Sequence, residues 1–135
     1  MFKKMLKNER GLTLIELLAV VVILGIIAAI AVPSIGNVMQ NSRIDAIKAD
    51  AIQILNASTL HEADQGQLAD GAEWDQDDLS ELVDSELVTS FTVSREGNAY
   101  ILNAGPITVG NETVTFTDAS KTEINNETAA AFTRE

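Results

Sequence analysis

"KNERGLTLIELLAVVVILG", residues 7–25, sets a charged segment against a long apolar one and leaves a single carboxylate, Glu16, just inside the apolar part. From Leu12 to Met39 there are 28 residues and one charge, and the sixteen residues from Leu17 to Val32 carry no polar side chain. As a helix, 28 residues extend about 42 Å, enough to cross a ~30 Å hydrocarbon layer. Four of the nine basic residues, Lys3, Lys4, Lys7 and Arg10, precede it. Basic residues on that flank predict an amino terminus held on the cytoplasmic side and a carboxyl-terminal part delivered outward. An ionised carboxylate costs about 2.5–3.5 kcal/mol at the bilayer centre and less near the interface, so Glu16 requires a reason.

Two ordinary segments meet part of the description. A secretory signal peptide has a basic start, an apolar run and a small-residue cleavage site, for which Ala29-Ile30-Ala31 would serve. The run here is longer than such a peptide needs, and Glu16 interrupts its beginning. A plain single-pass anchor is compatible with the hydropathy but leaves Glu16, Gly25 and Pro33 without a purpose. Under either reading the remainder would be an exported or membrane-anchored binding domain with no filament role.

A third reading uses all three residues. "RGLTLIE", residues 10–16, followed by an unbroken apolar helix, resembles the processing motif of type IV pilins and of the pseudopilins of type II secretion and competence systems. The resemblance covers roughly Met1 to Pro33. It implies that a prepilin peptidase cuts after Gly11, that the new amino-terminal residue Leu12 is N-methylated, and that Glu16 guides assembly. Leu12 stands where the family most often has phenylalanine. The chain also lacks the cysteine pair that closes a loop in many members. The resemblance further implies a structural subunit of a homopolymeric helical filament, with minor pilins and an inner-membrane assembly platform as partners and the membrane as the home of the precursor. The filament itself would lie at the cell surface.

Physical chemistry gives Glu16 a task under that reading. Cleavage would place it about one turn from a free amine and unpaired N–H groups, where negative charge is favoured. The Leu12 amine of one copy then pairs with the Glu16 carboxylate of a neighbour. Such a pair adds little net stability but fixes register, because leaving either partner alone is expensive. Gly25 and Pro33 weaken the helix between them, since glycine costs roughly 1 kcal/mol against alanine and proline lacks an N–H. Both a simple kink and a stretch that unwinds on assembly fit those two residues.

Beyond Pro33 the pattern changes. Ile44, Ile47, Ala51 and Leu55 recur at helical spacing beside Ile52, with Arg43, Asp45, Lys48 and Asp50 on the opposite side. The apolar stripe needs a sheet to cover it. The expected organisation is a basic leader over 1–11, removed by cleavage, and a long helix over 12–62, membrane-spanning or filament-core over 12–33 and amphipathic over 34–62. An acidic head over 63–135 follows, ending in a flexible tail or in an added strand around Ile124. The expected fold is α+β: the long helix with a short helix and a three- to four-stranded antiparallel sheet packed on it.

Within the head, "DDLSELVDSELV" reads as the short helix, with Leu79, Leu82 and Val83 inward and Asp77 or Asp78 as its cap. Trp74 reads as a plug from a loop onto the core. "SFTV", "AYILN", "ITV" and "TVTFT" read as strands, with turns at "SREGN" and "GNE".

Charge and composition narrow the function. After Gly11 the chain holds five Lys/Arg against nineteen Asp/Glu, a balance of −14. Such a surface repels phosphate backbones, so no direct nucleic-acid binding is expected. Ten acidic residues and no basic one lie between Glu62 and Glu86. Within it "DQDDLSE", residues 75–81, lacks the glycine and the spacing of an EF-hand calcium loop, and the segment reads as a solvated acidic face with no metal. No cysteine is present and His61 is the single histidine. Thiol catalysis, a histidine-based triad and a Cys/His zinc site are therefore not predicted, and the chain reads as a non-enzyme without a cofactor.

Overall fold

A computed structural model describes residues 2–127 and 131–135, with side chains from residue 11 onward. The chain divides into two units, Met1–Met39 and Gln40–Glu135. Helix α1 runs Phe2–Gln65 and contributes to both. It is followed by β1 (Glu73–Asp75), α2 (Gln76–Leu79), β2 (Phe91–Glu96), β3 (Ala99–Val109), β4 (Glu112–Ala119), α3 (Lys121–Asn126) and β5 (Phe132–Arg134).

In the first unit the apolar side chains from Leu12 to Met39, apart from the half-buried Ala31, are exposed all round the helix. The helix is long and apolar enough to cross a membrane by length and composition, and none of its most apolar window is buried.

In the second unit the sheet is an antiparallel meander in strict sequence order, β1-β2-β3-β4-β5. Its alternating side chains place Val93, Leu102, Val114 and Phe116 on one buried face. Ile44, Ile47, Ala51, Ile54 and Leu55 of α1 join them in one hydrophobic core. This is the α+β arrangement expected, with the helix stripe as read. Register Val93↔Leu102 across β2–β3 and Trp74↔Val93 across β1–β2 carries the core row from strand to strand.

Several details depart from the sequence expectation. The sheet has five strands rather than three or four. "AYILN" and "ITV" are two parts of the single strand β3, whose pairing with β4 shifts register between Leu102 and Ile107. Gly105 lies in that break at φ +113°, and a Cβ there would sit 2.9 Å from the Val114 carbonyl oxygen, so only glycine fits. Trp74 belongs to a strand and not to a loop, stacked on Tyr100 at 5.3 Å. The predicted helix over "DDLSELVDSELV" is only α2, capped by Asp75, which accepts from the Asp77 and Asp78 N–H groups while Asp78 accepts from the Asp75 N–H. Leu79 is buried, but Leu82 is 45% exposed, because the chain has left helical geometry by then.

Ile124 lies buried in α3, not in a strand, and the added strand is β5, paired to β4 through Thr115↔Thr133. Residues 128–130 of the expected tail lie outside the described residues. Ser120 caps α3 in a reciprocal box with Glu123.

Candidate functional site

Gly11, Leu12 and Glu16 all lie within α1. Glu16 is exposed among exposed apolar side chains, and among the described residues its carboxylate makes no hydrogen bond or ion pair. Its charge is thus presented on an apolar rod, where the cheapest compensation is a cation brought by something else. Gly25 and Pro33 lie further along the same helix, which runs unbroken through both. A Cβ at Gly25 would meet nothing within 4 Å, so packing within the chain does not demand glycine there. Pro33 has no N–H to give the carbonyl of Ala29, which removes one rung of the helix ladder.

The second unit consumes most of its own cations. Lys48 donates to Glu127 at 2.8 Å and lies 5.9 Å above the Phe132 ring. Arg95 is threaded between the Leu68 carbonyl oxygen at 2.7 Å, the Gly97 carbonyl oxygen and Asp70. Arg134 holds Glu112 and reaches Asn41 at 2.9 Å. These contacts set the local acidities. The Arg134 guanidinium keeps the Glu112 carboxyl below its ordinary range, and hydrogen bonding to Lys48 does the same for Glu127. Glu123 is lowered by the backbone N–H and hydroxyl of Ser120. Arg43 and Lys121 are the two cations of this unit with no ion pair among the described residues.

Sequence patterning places Lys48 and Asp50 on a solvent face, and the structure corrects this. Asp50 is half-buried and accepts from the Ser85 hydroxyl at 2.7 Å, the Leu87 N–H at 3.2 Å and the Val88 N–H at 3.1 Å. It clamps the 85–88 loop against α1. Arg43 and Asp45 are exposed as expected, and beyond them the exposed side of the helix carries Ala46, Ala49, Gln53, Asn56 and Leu60, none of them charged. Helical spacing alone cannot separate flank from outer face, because that depends on which neighbouring loop returns to the helix.

His61 packs edge-on against Trp74 at 4.8 Å, as a side chain ending a core stack. Tyr100 completes that stack. Its hydroxyl is buried without a hydrogen-bond partner in the described structure, and burial followed by the nearby Glu62 carboxylate raises its pKa above the ordinary 10.0. Among the described residues no group of three or more His, Asp or Glu gathers as metal ligands.

Comparison with known proteins points back to the first unit. Residues 6–32 match the family described as "Prokaryotic N-terminal methylation motif". A relative from Thermus thermophilus, the type IV narrow pilus major component PilA5, is 34% identical over 111 residues, which cover 71% of this chain and 96% of the relative. No solved structure matches the chain.

Proposed function

Because the chain belongs to the type IV pilin family, we propose that it is a body subunit of a type IV pilus-like filament, drawn from the membrane after its leader is removed. The observation that carries this reading is a methylation-motif match over 6–32 on a helix whose apolar side chains are exposed. Exposed apolar surface on this scale needs cover, and lipid and neighbouring copies are the two surroundings that supply it.

In the precursor the leader 1–11 stays on the cytoplasmic side and Gln40–Glu135 faces outward. A prepilin peptidase cuts after Gly11, and Leu12 receives the methyl group. The Leu12 amine of an incoming copy meets the Glu16 carboxylate of its neighbour, so that a charge costly in lipid becomes a register mark in the bundle. Gly25 and Pro33 give the intervening helix the freedom to lengthen as it leaves the membrane. An inner-membrane platform and minor pilins would serve the assembly, and the chain itself needs no cofactor and performs no catalysis.

Mass spectrometry of the mature chain from sheared cell-surface material tests this. A start at methylated Leu12 in filamentous material is the expected result. A chain beginning at Met1 or at Val32, or material that never forms filaments, overturns it.

A further inference from the structure

Among its described residues the Gln40–Glu135 unit exposes three large apolar side chains, Leu60, Leu82 and Leu87, and each lines a groove beside α1. Leu60 and Leu82 line a groove of about 440 Å³ with Gln53, Asn56 and Asp84. Further down the helix, Leu87 lines a second groove of about 360 Å³ with Ile107 and Arg43. The loop joining them is held rigid by the Asp50 clamp. Between the grooves the helix shows the uncharged face from Ala46 to Leu60. On a unit with eighteen Asp/Glu and five Lys/Arg, such a face is where another copy can approach without like-charge repulsion.

Charge decides the geometry of that approach. Arg43 marks the lower groove, and Asp84 marks the upper one, and neither has a partner among the described residues. Glu86 shares the lower groove but lies beyond ion-pair distance of Arg43. We infer that this face docks a second copy of the chain head to tail, with the Arg43–Leu87 groove of one copy engaging the Leu60–Leu82–Asp84 groove of the next. Two different patches meeting in this way generate an open series rather than a closed pair. The offset follows from the helix: thirteen to seventeen residues separate Arg43 from Asn56 and Leu60, about 20–26 Å at the α-helical rise. The inference rests on the filament reading above and adds to it a contact between folded units that is independent of Glu16.

The test is a charge swap in the full chain, in cells that process and export it, read as sheared filament yield. Arg43→Asp and Asp84→Arg each lower the yield about tenfold, and the double variant recovers most of it. The absence of cysteine permits a second readout. Leu60→Cys combined with Leu87→Cys gives a disulfide-linked ladder from oxidised filaments, whereas Thr117→Cys, exposed on β4, gives monomers. Wild-type filaments with normal yield from either single swap, or with no ladder from the cysteine pair, overturn the docking surface and leave the filament reading intact. Absence of filaments from the unsubstituted chain removes both.

Discussion

Ile30 and Ile54 are the same residue type on the same helix, yet Ile30 is 72% exposed and Ile54 is fully buried. The difference lies not in local propensity, which is equal, but in whether the chain supplies its own cover. In Gln40–Glu135 a five-stranded sheet does so, and each apolar side chain buried there stabilises the fold by roughly 1.5–3 kcal/mol. From Leu12 to Met39 none of the described residues does so, and the same surface becomes a demand on the surroundings. One unit is finished by folding, and the other by its company.

Breaking that contrast on the unfinished side gives the largest expected effect. Glu16→Ala should leave membrane insertion intact and reduce sheared filaments by about two orders of magnitude or more, since an unpaired buried partner charge costs several kcal/mol. Immunoblots of membrane and sheared fractions check both halves of this statement. Equal filament yield would remove the assigned role of the carboxylate.

On the finished side, Phe116→Ala should cost about 3–5 kcal/mol and Leu102→Ala about 2–5 kcal/mol, measured by unfolding of the detergent-solubilised chain. Both residues are almost completely buried. Gly105→Ala should cost about 1–3 kcal/mol, from the φ of +113° and the close Val114 carbonyl. Asp50→Ala should cost about as much, because three donors lose one carboxylate oxygen.

The smallest effect is electrostatic. Glu112, Glu123 and Glu127 have folded-state pKa values below their ordinary 4.5. A lowered value means stability present above the unfolded pKa and lost as pH falls through the folded one. Acid unfolding should therefore steepen below about pH 4.5, and Glu123→Gln should make that limb shallower. Tyr100 has the opposite sign. Its raised pKa gives stability that is full below pH 10.0 and declines as alkali ionises the phenol.

What the sequence makes legible follows the same division. The apolar run, the stripe of Ile44, Ile47, Ala51 and Leu55 and the strand segments are local periodicities, and the fold follows them. The motif around Gly11 and Glu16 is also local, which is why the family is readable from seven residues. Features built by long-range return are not legible. The Asp50 clamp spans 35 to 38 positions and the Lys48–Glu127 pair spans 79. Trp74 reads as loop because a three-residue strand has no period to detect. Ile124 shows no sheet neighbour in the sequence because it packs from a helix of six residues.

Both edges of the sheet are strands of only three residues, β1 and β5. Short edges offer a meagre template for strand addition, the route that leads to amyloid. The folded unit is thereby steered away from cross-β growth, so copies brought close together keep their own sheets rather than merging them.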